Sequence, residues 1–571
     1  MSVTGRAAAS IVVLGALLAA CGSARPPTLG DDDDLEESPG VDAGQVDASP
    51  DVTTLFIPPA VAPSDDPTTC AEAADLRSYV GCDYWPTVVA NVVWSIFDFA
   101  VVVANAGATP ATVTITGPLA TNQTQTVAPN ALAKFYLPWV PELKGADTDA
   151  CGESIALSAS VVSKGGAYHL VSSVPVSVYQ FNALEYAASG GPPGKDWSTC
   201  PGLQTCTDMT SPNYNTTSGC FSYTNDSSLL LPSTAMTGNY RVAGFPGQTA
   251  VDPTMQVPPM PVMGSYFAIT ATTDGTTVAV QLSSTAKILA GDTIPETMPG
   301  GIIMLSMDAG DVVELVGDLG DTVDLSGSLV SADKPVQVIA GAPCDLNPEE
   351  APACDHLEQS VFPAETLGRQ YFVTVPSGPY GAPKGHVVRL YGNVDGTVLT
   401  YKPAKPPGCP STLQAGQVVT CSVESSDYVT GDFEVIGSNE FAVGSFMLGG
   451  SIVDPTGGLG DPSASFMVAA EQFRTKYVFL APSDYESNFA DVVAPAGTTV
   501  VLDNKLLNTI GRPIGDGFVV VHGVDLGSSG AHVLTASAPI GLQVMGYGSF
   551  TSYQYPGGLN LKIIAPAPTP P

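Results

Sequence analysis

From Cys70 onward, apolar residues return at every second position instead of every third or fourth. Phe97, Phe99, Val101 and Val103 form one such row, Val278 and Val280 another, and Val398, Val500 and Leu502 belong to others. A period of two puts alternate side chains on opposite faces of an extended strand, and β-branched residues fit that pleated surface. Helical spacing is almost absent, so the expected fold class is all-β. Asp274-Gly275 and Asp395-Gly396 separate such rows and read as hairpin turns, because glycine supplies the positive φ these turns need.

The rows recur in phrases. A turn with Gly or Pro followed by a Thr-Val strand appears at Ala108–Val113, Asp274–Val278, Asp395–Val398 and Ala496–Val500. A second phrase follows each, at Ser172–Val176, Ala332–Val336, Ser438–Ala442 and Ser537–Ile540. Its proline, where present, suits a strand start whose first N–H is not needed. A third phrase opens the later units, running from Leu231-Pro232 to Tyr240, Phe362-Pro363 to Tyr371, and Ala469-Ala470 to Tyr477. One order repeated argues for duplication: units at about 84–190, 220–345, 357–450 and 465–550 within a β region of 67–565. Tandem β-sandwich-like repeats are expected, with a large β-propeller-like assembly as the alternative.

The N-terminus breaks this pattern. Residues 1–20 carry Arg6 and an unbroken apolar run from Ile11 to Ala20, and read as a secretory signal peptide. The run is shorter than the roughly 18–20 residues that cross a bilayer. Its ending, Leu18-Ala19-Ala20-Cys21, resembles the lipobox of bacterial lipoproteins, which implies cleavage before Cys21 and acylation of that residue. Two or three acyl chains make such an attachment durable. Gly22 after the cysteine is compatible with outer-membrane sorting. Residues 21–66 are Pro, Gly, Ala and acids, with Asp31 to Asp34, Glu36 and Glu37 facing only Arg25. Such a segment cannot bury enough apolar surface to offset its ordering entropy, and reads as a disordered acidic linker in preference to a calcium site. Residues 566–571 form a Pro-rich tail.

Charge narrows the partners. Of 571 residues, 55 are acidic and 20 basic, a formal net charge of −35. That balance leaves little basic surface for phosphate contacts, so nucleic acid is not an expected partner, and the membrane is expected to be reached through the lipid alone. Ten further cysteines form an even set in an exported chain and read as disulfides. Cys70 with Cys82, Cys344 with Cys354 and Cys409 with Cys421 would each close a short loop. Cys151, Cys200, Cys206 and Cys220 allow three connectivities.

No chemical motif stands out. His169, His356, His386, His522 and His532 are scattered, and no HExxH, GxSxG, P-loop or Rossmann pattern occurs. No catalytic, metal or cofactor-binding residue is therefore assigned, and no cofactor is expected. His356, between Asp355 and Glu358, is the most crowded polar position and reads as a hydrogen-bonded loop. Asp318, Asp321 and Asp324 lack the order of a defined calcium loop. Trp85, Trp94, Trp139, Tyr179, Phe181 and Trp197 are candidates for an exposed aromatic patch or for core.

Four segments carry a family resemblance: Ser78–Trp85, Val178–Leu184, Asn225–Pro232 and Ala353–Gln359. Together they resemble the IgGFc-binding protein N-terminal domain family, over about residues 70–565. The resemblance implies a bacterial surface lipoprotein, a class whose members mostly lack an assigned function. Immunoglobulin binding is not carried over, since no binding residue transfers position by position. The expected function is a lipid-anchored cell-surface binding or structural protein, not an enzyme, that presents tandem β domains to an extracellular protein or glycan. The alternative is a secreted glycan-active hydrolase using a carboxylate pair, and no motif picks out two such carboxylates.

Overall fold

The structure, a computed structural model, describes residues 66–569 apart from 153–154, 156, 212, 248–263, 321, 349–350, 352–353, 423–427, 483–484, 508–509 and 528–529. The expected signal segment, Cys21, the expected linker up to residue 65, Asp321, Pro570 and Pro571 lie outside the described residues. Asp66, the last linker residue, is held by Arg474 and by Lys476 at 3.0 Å.

The strands fall into four consecutive sets. The first comprises β1 (Gly81–Tyr84), β2 (Phe99–Asn105), β3 (Ala111–Gly117), β4 (Thr121–Val127), β5 (Ala131–Leu137), β6 (Val161–Ser163), β7 (His169–Asn182) and β8 (Ser227–Leu229). The second comprises β9 (Asn239–Arg241), β10 (Tyr266–Ala271), β11 (Thr276–Gln281), β12 (Ile302–Met307), β13 (Val312–Val316), β14 (Leu329–Ala332), β15 (Val336–Asp345) and β16 (Asp355–Ser360). The third comprises β17 (Gln370–Val373), β18 (His386–Gly392), β19 (Thr397–Lys402), β20 (Thr412–Leu413), β21 (Val418–Cys421), β22 (Phe433–Gly437), β23 (Phe441–Met447) and β24 (Ala464–Phe466). The fourth comprises β25 (Arg474–Ala481), β26 (Ser487–Pro495), β27 (Val500–Leu502), β28 (Lys505–Leu506), β29 (Arg512–Ile514), β30 (Phe518–Asp525), β31 (Gly530–Gly548) and β32 (Thr551–Pro556).

All four sets are paired in one way. In the second, β12-β11-β14-β9 form an outer sheet and β13-β10-β15-β16 an inner one. The third repeats this as β20-β19-β22-β17 and β21-β18-β23-β24. In the first and fourth, a single long strand, β7 or β31, serves both sheets in turn. The sheets are then β4-β3-β7-β1 with β5-β2-β7-β8, and β28-β27-β31-β25 with β30-β26-β31-β32. Strand β6 leaves its own set to pair with β13, and β29 extends β30. These are tandem β-sandwich-like repeats, not single-sheet propeller blades.

The recurrent phrases mark fixed places in this scheme. Gly275, Gly396 and Gly497, at φ +64°, +69° and +86°, each turn the chain between the second and third strands. Pro175, Pro335 and Pro539 each stand where the outer sheet hands over to the inner. The phrase ending in tyrosine ties the two sheets together. Tyr240 donates to the Val336 carbonyl at 2.6 Å and Tyr371 to that of Phe441 at 2.5 Å, while Tyr477 donates to that of Ile540. Tyr84 does the same to Val176 at 2.6 Å. The eighth strand closes each set later than the phrases suggest. Strands β8, β16 and β24 lie near the proposed starts of the next units, yet pair with β7, β15 and β23 of their own.

Burial separates the two sheets. Outer strands alternate, as in β12, where Ile303, Leu305 and Met307 are buried and Ile302 and Met304 exposed. Inner strands such as β2, β10 and β18 are buried on both faces. Ala100 and Val102, on the other face from Phe99, Val101 and Val103, therefore pack in a second core shared with the fourth set. The reason lies at the centre, where β8 packs against β16 and β32, and β24 against the same two. The four inner sheets thus surround one axis in a closed ring. Its seam joins the two ends of the fold: Tyr79 N–H donates to Leu559 O at 3.1 Å and Leu561 N–H to Arg77 O at 2.7 Å.

Candidate binding site at the ring axis

Each set links its seventh and eighth strands by a loop at the same end of the axis. Gly449 N–H donates to Asn347 O at 2.7 Å, and Phe550 N–H to Gly458 O at 2.8 Å, so the second, third and fourth loops interlock. Thr551 Oγ1 donates to Asn225 Oδ1 at 3.4 Å and joins the fourth to the first. The first loop is by far the longest, running from Ala183 to Asp226, and disulfides hold it. Cys200 pairs with Cys220, and Cys151 with Cys206, which selects one of the three possible connectivities. Cys70–Cys82, Cys344–Cys354 and Cys409–Cys421 are the other bridges.

These loops, together with the β1–β2 and β5–β6 connections of the first set, line a cavity of about 400 Å³. The rings of Trp94, Phe221, Tyr223 and Phe550 and the Cys344–Cys354 bridge line it, and among the described residues Asp461 is the one charged lining residue. Phe221 and Tyr223 lie 5.4 Å apart by ring centroid, and Phe550 is 47% exposed at the rim. Most of the hydroxyls there are already engaged. Thr148 donates to Val92 O at 2.7 Å, Thr224 to Asn91 Oδ1 at 3.0 Å, and Ser222 to Asn225.

Acids cluster beside this cavity. Asp226 accepts from the N–H groups of Ser227, Glu358 and Ala464 at 2.8, 3.0 and 3.2 Å, and from Ser463 Oγ at 2.9 Å. It therefore staples β8, β16 and β24. Asp461 is 1% exposed, and its Oδ1 has no hydrogen-bond partner. Burial pushes the Asp461 carboxyl well up; burial and then the charges of Asp461 and Asp226 do the same to Asp355. Burial also raises Glu358, bound by Gln180 and Asn182, to about 8.

His356 belongs to this interior. It is wholly buried, 3.3 Å from Tyr266 Oη, and burial lowers it to about 3, so it stays neutral at ordinary pH. Among the aromatic sequence candidates, only Trp94 lines the cavity. Trp85, Trp139, Tyr179 and Phe181 are buried in cores, and Trp197 packs on Phe97. Asp318 is held by Lys287, and Asp324 by Arg389. Among the described residues no group of three or more His, Cys, Asp or Glu is placed to hold a metal ion. Phe221, Tyr223, Asp461 and Phe550 carried no local signal, because only the ring brings their loops together.

His522 clamps the third set to the fourth. Its ring meets Asp432 at 2.9 Å and Asp491 at 3.1 Å. Burial opposes its charge, but the two carboxylates prevail and raise it to about 9. A raised folded value means that this stability is fully present below about pH 6.5 and is lost as pH climbs toward 9. A melting-temperature series from pH 6 to 9.5 should fall, and His522→Asn should flatten the slope. An equal slope in the variant would refute the clamp.

Comparison with known proteins adds the family. The sequence profile described as IgGFc binding protein matches residues 226–546, more than half of the chain. No curated protein matches. Among solved structures, an anti-sigma factor domain-containing protein from Clostridium clariflavum aligns at 9% identity over 56% of this chain and 90% of that one. Its TM-score is 0.10. The match begins at the Asp226 staple, runs through the second and third sets and ends inside β31, so the chain belongs to the IgGFc binding protein family.

Proposed function

We propose that this chain is a lipid-anchored cell-surface binding protein whose four β units, copies of one ancestral sandwich, present the axial loop face to an extracellular protein or glycan. The observation that carries the reading is the convergence of all four loops on one aromatic cavity. Pockets of this size with few polar groups are the usual form of a recognition site. In this reading the 1–20 segment directs export, Cys21 takes the acyl chains, and residues 21–65 hold the ring away from the outer membrane. Five disulfides suit an oxidising compartment. Among the described residues no helix is long and apolar enough to cross a membrane.

A glycan hydrolase would need two carboxylates on either side of a bound glycosidic bond, one of them ionised. Of the Asp355 and Asp461 pair only Asp461 lines the cavity, and burial pushes both toward the protonated form. The binding reading is preferred for that reason. It is tested on whole cells. The wild type should partition into detergent, carry acyl mass on Cys21 and be shaved from intact cells by protease, whereas Cys21→Ala should move to the aqueous phase. An unmodified mature N-terminus, or a protein sheltered from protease in intact cells, would overturn it.

A further inference from the structure

Lys195 lies in the long first loop and reaches back to Asp98, the residue before β2. Its Nζ meets the Asp98 carboxylate and sits 4.7 Å from the centre of the Trp197 ring, which itself packs on Phe97. Water is largely kept from the pair, whose side chains are 11% and 19% exposed; in every other described lysine pair at least one partner is more open than that. A second acid stands beside them. Glu185 is 1% exposed, its Oε2 accepts the Asp98 N–H at 3.1 Å, and its Oε1 has no hydrogen-bond partner among the described residues. The three side chains surround one point: Lys195 Cδ, Asp98 Oδ2 and Glu185 Oε1 lie 3.0, 3.4 and 3.5 Å from where a Cβ on Gly191 would stand. Glycine at this position, with φ +83°, lets the loop close over them.

An ion pair alone does not call for this arrangement, because a second buried carboxyl beside Asp98 works against ionising either acid. Burial and then the Asp98 charge raise Glu185 to about 7, and burial raises Asp98 against the pull of Lys195. The site thus favours neutral carboxyl groups next to an amine. In water an amine and a carboxylic acid condense poorly, since both ionise and water is in excess. Burial and a fixed approach relieve both obstacles.

We propose that Lys195 and Asp98 join in an intramolecular amide, with Glu185 as the proton carrier. A proton passes from the Lys195 ammonium through Glu185 to the Asp98 carboxylate. The neutral Nζ then attacks Asp98 Cγ, an N–C bond forms, the bond from Cγ to one carboxyl oxygen breaks, and that oxygen leaves as water with a second amine proton. One amide N–H remains, Glu185 ends as it began, and no oxidant or reductant is consumed. The link ties the long loop to the start of β2 independently of its disulfides, so reducing agents would not release it. It goes beyond the surface-binding reading and does not depend on it.

The test is peptide mapping of the purified full-length exported protein, reduced, alkylated and digested with trypsin. Peptides 78–134 and 165–241 should travel as one species, lighter than their sum by one water, with cutting after Lys195 blocked and fragment ions placing the link between Asp98 and Lys195. Lys195→Arg should abolish that species. Glu185→Gln should slow its appearance after a pulse of labelled synthesis by about a hundredfold, the scale of a lost acid–base group. The melting temperature checks that this variant folds. Free cleavage after Lys195 in the wild type, or linkage at the wild-type rate in folded Glu185→Gln, would overturn the proposal and leave surface display untouched. The wild-type map needs no variant, so it decides the matter even where a substitution fails to fold.

Discussion

Leu561→Ala should destabilise the ring by about 2–5 kcal/mol, the usual range for emptying a leucine site in a core. Leu561 is 0% exposed and packs in the core to which all four sets contribute. Its N–H also holds the Arg77 carbonyl across the seam between the first set and the chain end. A ring has no free edge only while that seam is shut. Cutting the chain after Pro556 should therefore do more damage than the point variant, because it also removes Leu559 and the bond from Tyr79 N–H to Leu559 O. Thermal melts and limited proteolysis read both effects. Ile563→Ala, at a half-exposed position two residues on, serves as control and should stay within about 0.5 kcal/mol of wild type. If Leu561→Ala behaved like Ile563→Ala, the seam would have no part in stability.

Arg389→Ala should cost about 3–5 kcal/mol, the range for stranding one partner of a buried ion pair. Arg389 stands on β18 of the third set and reaches the second. There its guanidinium binds the Asp324 carboxylate, the Gly244 carbonyl at 2.6 Å and Ser326 Oγ at 3.3 Å. Its side chain is 5% exposed and that of Asp324 15%, so solvent screens the pair little. Burial disfavours the arginine charge, but Asp324 outweighs it and raises the group. Adding Asp324→Asn to Arg389→Ala should recover part of the loss, since the stranded charge goes with it. Urea denaturation of the four proteins closes the cycle. Additive losses would show that the two side chains do not act on each other.

These clamps explain why parts of the molecule were legible early and others were not. The period-two rows, the Asp-Gly turns and the Thr-Val phrases are local: each depends on residues a few positions apart, so the strands and their repetition can be read along the chain. The short-loop disulfides are local in the same sense. The tyrosine ending the third phrase, at Tyr240, Tyr371 and Tyr477, is also visible, though its task of tying the outer sheet to the inner is not. Its counterpart Tyr84 stands in the first set without the preceding phrase.

What the amino-acid order determined by itself was the strand pattern and four rounds of it. Period and turn chemistry suffice for that, because a strand's two faces are set by its own residues. The tertiary structure decided which faces were buried, which loops met and where a site formed. Val102 looks like the solvent side of an alternating strand and becomes core because a neighbouring set covers it. Asp461, Tyr223 and Phe550 are unremarkable in their own loops and share one cavity because ring closure places three distant connections around a common axis. Burial and proximity of that kind depend on segments hundreds of residues apart, and no local pattern encodes them.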